Sequence, residues 1–321
     1  MARLRTAVRM LHAADIAFAR YRLAPYLRPT PLEAAPGLGD SIWLKLENLN
    51  RTRSFKARGA LNALLALDQR AKARGIIAAS SGNHAQGVAY GARLLGVQAR
   101  ILMPLHTPKR KIEGVRRYGA NAVLYGATYD EVEAEARRLA QAENLTYLSP
   151  YNDPLVVAGG GTVGLEILDE LPDLARVIVP AGGGGLISGI GLALKAQDPT
   201  IEVVGVCAEA APALYNVVHR AQRPQIWNTL AEALSGEIEA GSITIEMAQQ
   251  VVDRVLLVSE DALAEAIRWL LFRQGWVVEG GGAAGVAAIL AGLLPDDHRQ
   301  TAVIISGGNL DEETLHAVLQ R

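Results

Sequence analysis

The chain has 321 residues, enough for about two domains at roughly 150 residues each, and half of them are hydrophobic, which excludes intrinsic disorder. Its 32 basic and 33 acidic residues leave a net charge of −1, so there is no electrostatic basis for binding nucleic acid. A single cysteine, Cys207, excludes an intrachain disulfide or a multi-cysteine metal cluster and fits a reducing, cytoplasmic setting.

From the start of the chain, Arg3, Arg5 and Arg9 precede no continuous apolar run, and Asp15 interrupts the next segment, unlike a secretory signal. Strands are expected at Ile42–Leu46, Gly75–Ala79, Arg100–Met103, Ala122–Tyr125, Arg176–Val179, Ile201–Val206 and Ala302–Ile305. Helical patterns fall between them, among them Ala57–Leu67, Ala85–Leu95, Thr128–Ala142, Leu186–Ala196 and Glu260–Arg273. Val177–Leu194 is uncharged for 18 residues, the length of a membrane span, but Pro180 and six glycines make it strand, turn and helix. This alternation predicts an α/β fold with parallel sheets and a ligand at the carboxyl ends of the strands. Strand–helix units between about Gly75 and Tyr147 form one block, closed by Pro150 and Pro154.

Four segments carry the chemistry. Ser54-Phe55-Lys56-Ala57-Arg58 sets one of only six lysines at a helix start, where the dipole disfavours its charge and suits it to imine formation. The other reading is a solvated lysine in a basic run. Ser80-Ser81-Gly82-Asn83-His84 comes after a strand and opens a helix, which makes either a carboxylate site or an ordinary cap. Gly182-Gly183-Gly184-Gly185 leads a buried strand into a helix and lets the backbone approach a phosphate. It is no Walker loop, because it lacks a succeeding Lys-Ser or Lys-Thr. Ser306-Gly307-Gly308-Asn309 puts a hydroxyl at a strand end, or is a plain turn. A dinucleotide fold is disfavoured, since no first strand leads into a well-spaced Gly-X-Gly-X-X-Gly.

Taken together, the ordered set resembles the serine/threonine dehydratase family, of fold type II among pyridoxal-phosphate enzymes. Thr30-Pro31-Leu32, Lys45-Leu46-Glu47, Ser81-Gly82-Asn83-His84-Ala85-Gln86-Gly87 and Gly161-Thr162 extend the match along nearly the whole chain. The resemblance implies a short form without a regulatory domain. It implies two open parallel-sheet α/β domains, a large one (1–66 and 153–321) and a small mobile one (67–152), with the site between them. It implies pyridoxal 5′-phosphate held through an imine by Lys56, beside Phe55. Asn83 would bond the 3′ oxygen, Gly182, Gly183, Gly184 and Gly185 the phosphate, and Ser306 the pyridine nitrogen. Ser80, Ser81, Asn83 and His84 would surround the substrate carboxylate.

The activity implied is loss of water and ammonia from L-threonine or L-serine, in a homodimer or homotetramer. Racemisation is a rival, with Ser81 as a second acid/base, as are a dehydratase for another hydroxy amino acid and a non-catalytic relative. The chain departs from the family pattern at Gly160, Tyr215, Glu232, Ala233 and Gly280–Gly282. Tyr215 stands where a second carboxylate is expected, which leaves Glu209 alone, so no metal is expected.

Overall fold

The structure, a computed structural model, describes residues 11–295 and 297–320; the Arg3–Arg9 stretch lies outside them. In chain order the first elements are α1 (Ala13–Leu23), β1 (Leu32–Ala34), β2 (Ile42–Lys45), α2 (Lys56–Ala66) and α3 (Gln69–Arg74). Next come β3 (Ile76–Ala79), α4 (Asn83–Leu95), β4 (Ala99–Met103), α5 (Lys109–Arg116), β5 (Asn121–Leu124), α6 (Tyr129–Ala142) and β6 (Thr146–Tyr147). The chain continues through α7 (Pro154–Glu170), β7 (Arg176–Pro180), α8 (Gly185–Gln197), β8 (Glu202–Ala208), α9 (Ala213–His219) and α10 (Ile243–Val251). It ends with β9 (Arg254–Val258), α11 (Glu260–Gln274), α12 (Gly280–Leu290), β10 (Thr301–Ile304) and α13 (Glu312–Gln320).

Two sheets result. One runs β5-β4-β3-β6 and is wholly parallel; the other runs β1-β2-β10-β7-β8-β9 and is parallel except for β1 against β2. Every residue of β3, β7 and β10 is buried, as expected of strands covered by helices on both faces. The uncharged Val177–Leu194 stretch is strand, turn and helix, and no helix among the described residues is long and apolar enough to cross a membrane. The expected strands agree with β2, β3, β4, β5, β7, β8 and β10 to within about two residues at each end. Additional to them are β1, of three residues, β6, of two, and β9, of five.

The register places the chemistry. Because β2 pairs with β10 (Ile42 opposite Thr301), the segment after β2 meets the segment after β10. The loops leaving β2, β3, β7 and β10 are the four segments singled out by their residues, and all leave carboxyl ends. Glycines set the helices between the sheets. A Cβ at Gly59 would lie 2.7 Å from Val156 O, and one at Gly159 would lie 2.7 Å from the Cα of Gly59, so α2 and α7 touch backbone to backbone. Gly161 meets Gly189 of α8 in the same way, and Gly87 of α4 meets the Lys56 carbonyl.

Candidate active site

Lys56 is the first residue of α2. Ahead of it, the chain is stitched to the segment after β10: Phe55 N–H donates to Ser306 O (3.1 Å), Gly308 N–H to Arg53 O (2.9 Å), and Ser54 bridges Gly307. Lys56 and Ser306 therefore share one rigid frame. The Lys56 ammonium donates to Pro150 O at 2.7 Å and lies 5.0 Å from the Phe55 ring centre. Burial lowers its pKa to about 8, so desolvation acts where the sequence suggested the helix dipole.

The residue after Pro150 links lysine and glycines. A Cβ on Gly183 would lie 2.7 Å from the Tyr151 ring, and one on Gly182 would lie 2.7 Å from Leu234 O. Gly184 is left-handed (φ +82°), a conformation that favours glycine, and it caps α8. Ser188 N–H makes the first helical bond to Gly184 O, so the amides ahead of it are left for another acceptor.

On the opposite side, Asn83 begins α4. Its amide nitrogen donates to Glu279 Oε1 (2.5 Å), and its amide oxygen accepts from Asn309 Nδ2 (2.6 Å). Gly307 has no room for a side chain because Glu279 and Asn83 lie against its Cα. Burial raises Glu279 to about 7, against opposing bonds from Asn83 and the Asn309 N–H. Ser80 and Ser81 are half-buried at the end of β3, where Ser80 Oγ accepts from Gly82 N–H (3.2 Å). His84 is buried, and its Nε2 lies 3.0 Å from Leu148 O, which can only accept, so that nitrogen carries the proton. Nδ1 is then an acceptor, and among the described residues it has no hydrogen-bond partner. Burial and the Lys56 charge depress the pKa of His84 to about 3, keeping it neutral.

Comparison with known proteins gives this arrangement its family. Residues 23–307 match the family described as pyridoxal-phosphate dependent enzyme. The chain belongs to this family. It is 41% identical to an L-threonine ammonia-lyase of Thermotoga maritima over 285 residues, covering 88% of this chain and 71% of the relative. It is 39% identical to the L-threonine dehydratase catabolic TdcB of Escherichia coli K12, over 92% of each chain. Among solved structures, maize serine racemase superposes with a TM-score of 0.89 at 30% identity, over 97% of this chain and 98% of that one.

For a pyridoxal-phosphate enzyme the residues present fit the cofactor. Gly182 and Gly183 have no space for a Cβ, and they lead into uncommitted amides at the start of α8, where the helix dipole favours an anion. Lys56 carries an amine whose charge burial disfavours, as imine formation requires. Of the features unlike the family pattern, Glu232 pairs with Lys111 of α5 (2.5 Å), and Tyr215 stacks on His219 with ring centres 4.3 Å apart. Cys207 is core, its thiol 3.0 Å from Ala181 O and pushed up to about 12 by burial. Sequence alone did not single out Tyr151, Asn309 as a hydrogen-bonding partner, or Glu279 as a member of the site. The glycines beside Glu279 were the available signal, since Gly282 packs directly against Gly307 O and has no room for a Cβ.

Proposed function

We propose that this chain is a pyridoxal-phosphate-dependent ammonia-lyase that converts L-threonine, L-serine or both to a 2-oxo acid and ammonia. The observation that carries the reading is Lys56, desolvated at the start of α2 and joined through Pro150 and Ser306 to the loops after β6 and β10. The names of the Thermotoga and Escherichia relatives support the substrate class.

When bound, the cofactor supplies an electron sink for charge developing at the substrate α-carbon. The residues of this chain do the rest. Gly182–Gly185 would bind the phosphate, with Phe55, Ser306 and Asn83 holding the ring. A hydroxyl at the ring nitrogen does not enforce protonation there as a carboxylate would, which suits a reaction whose leaving group carries charge away. The substrate carboxylate is held at Ser80 and Ser81 and the start of α4. Lys56 Nζ would take the substrate α-proton, and a pKa near 8 suits that transfer at neutral to mildly alkaline pH. Neutral His84 braces the loop against Leu148.

Residues 67–152 act as the small mobile domain. Contacts from it to the rest of the chain, Arg110 to Leu310 O (3.0 Å), Lys111 to Glu232 and Arg137 to Glu239, are of the kind that closure makes. The working form is a cytoplasmic homo-oligomer. Lys56→Ala is expected to lose the yellow colour of the cofactor-bound protein and at least about 100-fold in oxo-acid formation. Retention of both would overturn the reading. Racemisation is the second reading, favoured by the maize serine racemase likeness and by Ser81 on the opposite loop. The ratio of D-serine to pyruvate formed from L-serine decides between them.

A further inference from the structure

The amide of Asn83 can be oriented two ways, and its neighbours select one. Thr52 O, a backbone carbonyl, can only accept; it lies 2.9 Å from Asn309 Nδ2 and so identifies that atom as the nitrogen. The same nitrogen then gives its second proton to Asn83 Oδ1 at 2.6 Å. Asn83 Nδ2 therefore faces Glu279, whose Oε1 accepts at 2.5 Å while Oε2 accepts the Asn309 backbone N–H at 3.2 Å. Along this line of bonds from Thr52 to Glu279, one proton on Asn83 Nδ2 is left uncommitted. That amide also lies beside Ser306-Gly307, since a Cβ on Gly307 would approach Asn83 Nδ2 to 3.1 Å and collide with Glu279 Oε1.

We infer that Glu279 is a positioning residue: it takes one amide proton of Asn83, holds the group against the Ser306 loop, and leaves the other proton to meet the ring oxygen of the bound cofactor. The inference rests on the proposed function and adds the residue that sets the orientation of Asn83. Glu279 belongs to the segment entering α12, far from Asn83 in sequence, and it caps α12 without a side-chain bond to that helix, so its carboxylate is not spent there. The charged groups bearing on it are Lys111 of α5, which favours the carboxylate, and Glu232, which opposes it. Among the described residues no arginine pairs with it, in keeping with a carboxyl that titrates in the working range.

Glu279→Gln tests this. An amide there presents a nitrogen to one of two N–H donors, so the line of bonds loses its polarity. Cofactor affinity, measured on the apoenzyme by equilibrium dialysis, is expected to fall about tenfold, the effect of one charge-assisted hydrogen bond. The balance between the near-ultraviolet and visible bands of the bound cofactor should shift as well, because it reports the protonation of the ring oxygen. Glu279→Asp, which keeps the charge, should restore part of both. If Glu279→Gln does not fold, Asn309→Ala removes the other anchor of Asn83 and is expected to give the same two changes. Wild-type affinity and band ratio in a folded Glu279→Gln protein overturn the inference and leave the proposed function standing. Wild-type apoenzyme that takes up no cofactor overturns both.

Discussion

Two carboxyl groups inside this protein, Glu47 and Glu279, are removed from water in different company. Glu47 accepts two bonds from Arg58 (2.8 and 2.7 Å), with Thr30 and Asn50 on its remaining lone pairs. Arg58 spans from Glu47 to Glu166, and Glu166 also meets Lys45 at 3.0 Å. Burial pushes Glu47 upward, yet the charge and hydrogen bonds of Arg58 outweigh it and hold the carboxyl below its ordinary value. Glu279 has only amide donors, and there burial wins. The difference separates framework from chemistry. Beneath α2 every charge has a counter-charge, whereas around Lys56 the three perturbed groups, Lys56, His84 and Glu279, are shifted mainly by desolvation.

Breaking the paired side gives the largest effect. Arg58→Met leaves Glu47 buried without a counter-charge and Glu166 with Lys45 alone, and about 3–5 kcal/mol of stability should be lost in chemical denaturation. A loss below about 1 kcal/mol would mean that the network is not what holds α2 in place. The pH dependence sharpens the contrast because the signs oppose. Glu47, with a depressed folded pKa, contributes stability above its unfolded value of 4.5 that is lost as pH falls through the folded one. Glu279, raised to about 7, resists ionising when folded, so its contribution is greatest below pH 4.5 and declines as pH rises to about 7. Subtracting the Glu279→Gln stability profile from the wild-type profile should reveal that decline, at most about 3 kcal/mol in size. The smallest effect is expected at Lys111→Met. Removing this partly exposed cation should change stability by less than about 0.5 kcal/mol while raising the Glu279 midpoint, read as a shift of the same decline to higher pH.

What could be read from the sequence was what a few consecutive residues determine. Four glycines after an apolar strand, and a lysine ahead of an alanine-rich helix, state their geometry locally, and the structure places both beyond carboxyl ends of the six-stranded sheet, after β7 and β2. The Asn83–Glu279 bond joins residues 196 positions apart, and no periodicity encodes it. Gly160 stood out as a departure from the family pattern, but nothing local in the sequence says why glycines flank it; Gly159 and Gly161 make backbone-to-backbone helix crossings. A helix needs a close neighbour before its glycine has a reason, and the neighbour here comes from another part of the chain. His84 shows the same limit: its place at the helix start was legible, but the direction of its ring depends on Leu148.

The stitching of residues 52–55 to residues 306–309 bears on how the protein is made. A ribosome that has delivered Lys56 and the glycine loop has not yet delivered the strand beside which β2 must lie, nor the serine that shares a frame with the lysine. The growing chain can pair β2 with β1 early, but its other edge waits until β10 emerges, a long-range closure of the kind that slows folding. Polypeptides that stop short of Ser306 would carry every earlier motif and still have no complete cradle. The two ends of the chain's chemistry are thus joined only when its last strand is in place.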